Sequence, residues 1–227
     1  GRSPTSTATT TPASPSAANN VKKEIRIGVL AYQGEVEEHL DATRAAAKKI
    51  QRDIEVVSVR TKEDIAGLRG LIIPGGESTT LYKLCRREGI FEDIKKIPNI
   101  FGTCAGAIML SKSVGNKMAG QETLGLMDIE VERNSYGRQS ESFEADIKTE
   151  LGAVKQIVHA IFIRAPRITK VLPAQAGGKA VRVLAEHDGE VIACEQTSKG
   201  RYYLALSFHP ELTTTLFHEH FLKKIVL

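Results

Sequence analysis

The sequence predicts an α/β protein: a three-layer sandwich with a mostly parallel central sheet, helices on both faces, and antiparallel strands added at one edge. Three observations carry this. Short, nearly continuous apolar runs recur from residue 24 onward, as expected of strands buried on both faces. Stretches with apolar residues at helical spacing lie between them, so strand and helix alternate. Beyond about residue 125 the helical stretches give way to strands separated only by turn residues, which favours antiparallel pairing.

The elements follow in order. Residues 24–31 (EIRIGVLA) read as a buried strand ending at Gln33-Gly34. Residues 35–50 read as a helix with Val36, Leu40, Thr43 and Ala47 on one face. A strand at 53–59, a short helix at 62–68 and a strand at 70–73 come next, the last stopped by Pro74-Gly75-Gly76. Residues 78–88 are helical, with Ser78 as the expected cap. A strand at 99–102 passes directly into a helix reaching Leu110. Strands are then expected at 126–132, 139–147, 160–164, 180–186, 190–196 and 202–208, and a final helix at 213–226.

Composition narrows the possibilities. A chain of 227 residues suits one domain and can bury a full core without disulfide or metal staples. No apolar run approaches the ~18 residues of a membrane span. The net charge of +4 comes from interleaved signs, as in Lys22-Lys23-Glu24. Aromatics are 5% and Trp is absent, so neither a basic block nor a stacking platform for nucleic acid is present. Three cysteines, with no close pair, argue against a disulfide framework or a zinc ribbon and for a reducing, cytoplasmic home.

Residues 3–20 are all Ser, Pro, Thr, Ala or Asn and carry no charge. Such a segment buries too little apolar area to offset its ordering entropy. Residues 1–22 are therefore expected to be a disordered tail, and the leading Gly suggests a cloning scar or processed end. The folded domain is expected to span 23–227.

The sharpest chemical pattern is Gly102-Thr-Cys104-Ala-Gly106, where a buried strand meets a helix. This is the layout of a nucleophile elbow with Cys in place of Ser. The glycines leave room for a tight turn, the helix N-terminus favours a thiolate, and the Ala105 N–H points to an oxyanion. A second pattern, Ser207-Phe-His209-Pro-Glu211, delivers a base and an orienting carboxylate to the end of a strand. Open α/β sheets build their sites there. A third, Pro74-Gly75-Gly76-Glu77-Ser78-Thr79, exposes backbone N–H groups after a strand. His218-Glu-His220 suggests metal only weakly, because residues two apart do not share a helical face. Cys85 and Cys194 read as core, and His39, His159 and His187 show no partner in the sequence.

Together these motifs resemble the class I glutamine amidotransferases, whose domain is flavodoxin-like. More narrowly, the chain resembles the glutaminase-subunit family of pyridoxal 5′-phosphate synthase. That narrower likeness rests on Gly28-Val-Leu-Ala-Tyr-Gln-Gly34, Ile73-Pro-Gly-Gly-Glu-Ser-Thr-Thr80, Glu132-Arg-Asn-Ser-Tyr-Gly-Arg-Gln139, Ser142-Phe-Glu144, Phe162-Ile-Arg-Ala-Pro166 and Ser207-Phe-His-Pro-Glu-Leu-Thr213. The stretches run in order across residues 24–227.

The resemblance implies a glutaminase that hydrolyses L-glutamine to glutamate and ammonia. Cys104 is implied as nucleophile, His209 as base and acid, and Glu211 as its orienting partner. Gly76 and Ala105 would form the oxyanion hole. Gly75, Gly76, Glu77, Arg133, Ile163 and Arg164 fall where the family holds glutamine, and a zwitterion does need both a cationic and an anionic partner. Gln33 and Gly34 match a loop near the oxyanion hole whose function depends on the partner. Tyr32 stands where the family usually has Leu. The implied partner is a barrel-type synthase subunit, in a large hetero-oligomer that receives the ammonia internally. No cofactor and no metal are implied. The alternatives are another class I glutaminase, such as that of imidazole glycerol phosphate synthesis, a non-catalytic binding subunit of the same fold, and a cysteine peptidase or deglycase. The intact Cys104, His209 and Glu211 set argues against the non-catalytic reading.

Overall fold

The computed structural model describes residue 1, residues 24–133 and residues 142–227. The expected tail at 1–22, apart from residue 1, lies outside the described residues, as do positions 134–139 of the Arg133–Gln139 motif. In chain order the elements are β1 (Ile25–Leu30), α1 (Val36–Lys49), β2 (Ile54–Val59), α2 (Lys62–Ile65), β3 (Gly70–Ile73), α3 (Ser78–Arg87), α4 (Phe91–Ile94), β4 (Asn99–Thr103), α5 (Ala105–Leu110), β5 (Ser111–Val114), β6 (Met127–Glu132), β7 (Ser142–Leu151), β8 (Val154–Ile163), β9 (Arg167–Val171), β10 (Arg182–His187), β11 (Glu190–Ser198), β12 (Arg201–Leu206) and α6 (Leu216–Val226).

The central strands β2-β1-β3-β4-β12 are all parallel. From β12 the sheet continues antiparallel through β11, β10, β7 and β8, with β5, β6 and β9 branching from β11. Alternation within the parallel strands explains the layers, since successive side chains point to opposite faces. Ile27, Val29, Ile72, Phe101, Leu204 and Leu206 pack on one face with α1 and with Phe217, Phe221 and Ile225 of α6. Leu30, Leu71, Ile73, Ile100, Tyr203 and Ala205 pack on the other, against Leu81 and Cys85 of α3, Phe91 of α4 and the residues of α5. Both sets are apolar, so these strands read as continuous hydrophobic runs.

The structure adds α4, β5 and β9, which the sequence pattern did not indicate, and places a single turn of 3-10 helix at Pro210–Leu212 before α6. The strand expected at 160–164 starts six residues earlier, at Val154. No helix among the described residues is long and apolar enough to cross a membrane.

Candidate active site

The carboxyl ends of β1, β3, β4 and β12 deliver their loops to one edge of the sheet. There they bound a cleft of about 520 Å³ whose lining includes Glu35, Gly76, Glu77, Cys104, Arg133 and His209.

Cys104 sits between β4 and α5 at φ 52°, ψ −110°, a backbone conformation that non-glycine residues rarely adopt. Its N–H donates to Leu206 O (2.9 Å) and its carbonyl accepts from Ala107 (3.0 Å), so neighbouring chain holds the turn on both sides. The flanking glycines are required by packing. A Cβ on Gly102 would lie 2.4 Å from the Gly106 backbone, and one on Gly106 would lie 2.1 Å from Ile73 O. The thiol donates to Ile163 O (3.8 Å) and shares the cleft with His209.

His209 follows β12, its N–H donating to Ile161 O of β8 (2.9 Å). Nδ1 lies 2.7 Å from Glu211 Oε1. Burial pulls the ring toward neutrality, but Cys104 and the hydrogen-bonded Glu211 outweigh it and raise its pKa to about 10. The ring therefore holds its proton at neutral pH. Burial raises the Glu211 pKa, against the hydrogen bond and charge of His209, and the nearby Glu35 carboxylate adds to the rise.

The Gly75-Gly76 turn lies over this pair. A Cβ on Gly75 would come 2.7 Å from the His209 ring and 3.4 Å from Cys104 Cβ. Gly76, at φ 120°, is covered by the Gln33 carboxamide, which donates to Glu77 O (2.7 Å). Gly34 in turn rests on Gly75, where a Cβ would meet Gly75 O at 2.4 Å. The Gln33–Gly34 loop and the glycine turn are thus one packed unit.

Glu77, rather than Ser78, caps α3: its carboxylate accepts from the Thr79 and Thr80 N–H groups. Burial opposes ionisation, but these bonds and the threonine hydroxyls hold its pKa below the usual value. Arg133 Nη2 donates to Glu77 Oε1 (2.7 Å), and Asn116 pairs with the Arg133 backbone through both N–H and carbonyl, each at 2.7 Å. Ile163 and Arg164 also line the cleft, Arg164 at φ 47°.

Every site residue singled out in the sequence is therefore in or directly behind this cleft. Gly75, Ala105, Gln33 and Glu211 support it from behind. The remaining singled-out residues lie elsewhere. Cys85 and Cys194 are buried core, where burial pushes each thiol up to about 12. His218 and His220 are both buried in α6 but face different partners, His39 and Glu195. The partnerless reading of three histidines is corrected. His39 contacts His218 and Thr103, and His159 lies between Asp146 and Glu144. His187 approaches Asp188 and stacks on Phe143. These pairings depend on the fold, which a linear reading does not expose.

Glu35 was missed as a site residue. Its Oε2 is buried without a hydrogen bond and lies 3.5 Å from His209 Nδ1. Its only sequence signal is adjacency to Gly34. Glu35, His209 and Glu211 bring ligand atoms within 4.8 Å of one another, a spacing open to a metal. His209 Nδ1 is already paired with Glu211, so the trio reads as the rear of the nucleophilic site.

The chain is similar to known amidotransferases over most of its length. A family model, the SNO glutamine amidotransferase family, matches residues 29–227. A relative from Methanosarcina barkeri, named pyridoxal 5′-phosphate synthase subunit PdxT, is 46% identical over 209 residues, covering 88% of this chain and 98% of its own. A Pyrococcus horikoshii protein of the same name is 41% identical, covering 89% of this chain and 100% of its own. A solved structure described as a glutamine amidotransferase superposes with a TM-score of 0.72 at 40% identity, covering 88% of this chain and 99% of that one.

Proposed function

The chain belongs to the SNO glutamine amidotransferase family, and from that premise we propose that it is the glutaminase subunit of pyridoxal 5′-phosphate synthase. It hydrolyses L-glutamine and hands the ammonia to a synthase partner. One observation carries the reading: a strained cysteine and a hydrogen-bonded His209–Glu211 pair line one cleft that also presents Arg133 and Glu77.

The chemistry follows from the placement. Arg133 takes the α-carboxylate of glutamine and Glu77 the α-ammonium, with Ile163 and Arg164 closing the side of the cleft. Cys104, its proton passed to His209, attacks the side-chain amide carbon. The carbonyl oxygen becomes an oxyanion that the Gly76 and Ala105 N–H groups stabilise. His209 then gives its proton to the departing nitrogen, which leaves as ammonia, and a γ-glutamyl thioester remains. Water, deprotonated by His209, attacks the thioester, glutamate leaves and the thiol is restored. Glu211 holds the imidazole in orientation throughout.

The Gln33–Gly34 loop packs directly on the Gly75–Gly76 turn, so a partner that moves the loop also moves half of the oxyanion hole. We assign the partner as a barrel-type synthase subunit in a large hetero-oligomer. A cytoplasmic setting goes with a thiol nucleophile, and Cys85, Cys104 and Cys194 are all free. Residues 23–227 form the glutaminase domain in this reading, with 1–22 outside it.

The test is ammonia release from glutamine, with and without the synthase partner, with Cys104→Ala as control. Stimulation by the partner that is lost in the variant supports the reading, as does labelling of Cys104 by a glutamine-analogue electrophile. Normal ammonia release by Cys104→Ala would overturn the nucleophile assignment. That variant is expected to keep binding glutamine when the partner is present.

A further inference from the structure

Hydrolysis as proposed uses one oxygen of Glu211, Oε1. The other, Oε2, is buried and makes no hydrogen bond. Across from it, 3.4 Å away, is Nε2 of His39, a fully buried side chain of α1. The same Nε2 lies 3.1 Å from Thr103 Oγ1, the residue before the nucleophile. His39 Nδ1 lies 2.9 Å from Nε2 of His218, whose own Nδ1 is buried without a partner. Two buried histidines thus stand in a row behind the catalytic carboxylate, and nothing in the reaction so far requires them.

Their proton positions follow from the contacts. Burial keeps both rings neutral: His39 is held well below its usual pKa, and His218 is pushed down to about 3. Each ring then carries one proton, and exactly one of the two facing nitrogens must be the donor. Suppose His39 carries it on Nδ1 and donates to His218. His218 must then keep a buried Nδ1–H with no acceptor, and the bare Nε2 of His39 faces the lone pairs of Glu211. Suppose instead that His218 Nε2–H donates to His39 Nδ1. The partnerless His218 Nδ1 is then a lone pair, cheaper to bury than an N–H, and His39 Nε2–H serves Thr103 Oγ1 with the unserved carboxylate oxygen 3.4 Å away. The second arrangement is favoured at both ends.

We propose that His39 is a positioning residue for Glu211. Its Nε2–H, shared between Thr103 Oγ1 and Glu211 Oε2, holds the carboxylate in the rotamer that presents Oε1 to His209. His218 fixes the tautomer of His39. A separation of 3.4 Å is long, and the same proton also serves Thr103 Oγ1 at 3.1 Å. The need for such a device is visible in Glu35, whose Oε2 lies 3.5 Å from the same His209 Nδ1. Two carboxylates compete for one imidazole proton, and a donor behind Glu211 settles which of them receives it.

This inference rests on reading Cys104, His209 and Glu211 as the glutamine-hydrolysing set, and the test separates the two. The full chain with its synthase partner is assayed as wild type, His39→Leu and His39→Gln. Leu removes the donor and keeps apolar volume, whereas Gln keeps an amide donor and a carbonyl acceptor for His218. His39→Leu is expected to lower kcat about tenfold to a hundredfold, the effect of one hydrogen bond to a charged group. The KM for glutamine should stay within about twofold, and His39→Gln should recover to within about threefold of wild type. The acid limb of kcat should move to higher pH in His39→Leu, because a carboxylate without its donor keeps its proton longer. Unchanged kcat in His39→Leu, a loss confined to KM, or equal losses in both variants would overturn the proposal.

A readout on the unmodified chain guards against misfolding of the variants. Long-range 1H–15N correlation should show His39 and His218 neutral and protonated on Nε2. A proton on His39 Nδ1 overturns the positioning role, whatever the activity. Absence of ammonia release from the wild-type complex, by contrast, overturns the glutaminase reading.

Discussion

Among the described residues, two buried carboxylate–histidine pairs have equal length, and they do opposite things. Glu195 of β11 pairs with His220 Nε2 at 2.7 Å, and Glu211 pairs with His209 Nδ1 at 2.7 Å. Glu195 is fully served: Oε2 also accepts from the Tyr202 hydroxyl (2.6 Å), and Oε1 accepts from Arg182 Nε (2.9 Å). Burial pushes its pKa up, yet the bonds from His220 and Tyr202 prevail and hold it at about 2. Glu211 has one oxygen that meets His39 Nε2 only at a long 3.4 Å and makes no closer hydrogen bond, and a second carboxylate beside it, and its pKa is raised instead. A saturated carboxylate is a fixed anion that ties β11, β12 and α6 together. An under-supplied one still responds to the proton on its partner. Pair length therefore says little about role. The supply of donors, and a nucleophile in reach, decide it.

The largest test of that contrast exchanges each acid for its amide. Glu211→Gln is expected to lower kcat for ammonia release by about 10²–10⁴ while the melting temperature barely moves, since orientation of the imidazole is what is lost. Glu195→Gln is expected to leave kcat within about threefold and to destabilise the fold by about 3 kcal/mol, as breaking one side of a buried ion network does. If Glu195→Gln costs as much activity as Glu211→Gln, the distinction collapses.

Titration sharpens the same comparison. The Glu195 pKa is depressed in the folded chain from 4.5 to about 2. Its contribution is therefore fully present above the unfolded value and lost as pH falls toward the folded one. It is on the order of 3 kcal/mol at most. Urea melts of wild type and Glu195→Gln should converge as the pH drops through that window. His209 is raised to about 10, so its pairing contributes fully below the ordinary imidazole value and is lost as pH rises through about 10. Ammonia release should fall along that alkaline limb, and a fall centred near an ordinary imidazole pKa would contradict the pairing.

A smaller effect is expected at the elbow. Gly106→Ala places a Cβ 2.1 Å from Ile73 O, a backbone atom that no rotamer change can move. It should cost about 3 kcal/mol, at the upper end of overpacking, read as a drop in melting temperature.

How much of this was legible in sequence depends on the range of each interaction. β3 runs over the residues its apolar run predicted, because Pro74 and two glycines stop it. The grouping of Cys104, His209 and Glu211 was legible because Cys104 lies in a five-residue motif and His209 and Glu211 are two residues apart. β8 was read short because its first half is open to solvent on both faces, with Val154 and Ile157 exposed, and shows no buried alternation until Val158. β5 and β9 are short and owe their place to pairing with β6 and β11 rather than to their own pattern. His39 and His218 were opaque for a stronger reason: 179 residues separate them, and only the packing of α1 against α6 brings their rings together. Asn116 likewise shows its role only once it is seen clasping the Arg133 backbone.

The positive φ of Cys104 sets stability and activity against each other at a single codon. Glycine adopts that conformation without the penalty of about 1–3 kcal/mol that a side chain pays there. Cys104→Gly should therefore melt higher than the wild type while releasing no ammonia, and calorimetry on the two would show it. The inert form would then be the sturdier of the two, so a screen for folding alone would favour it and only a screen for ammonia release would keep the cysteine.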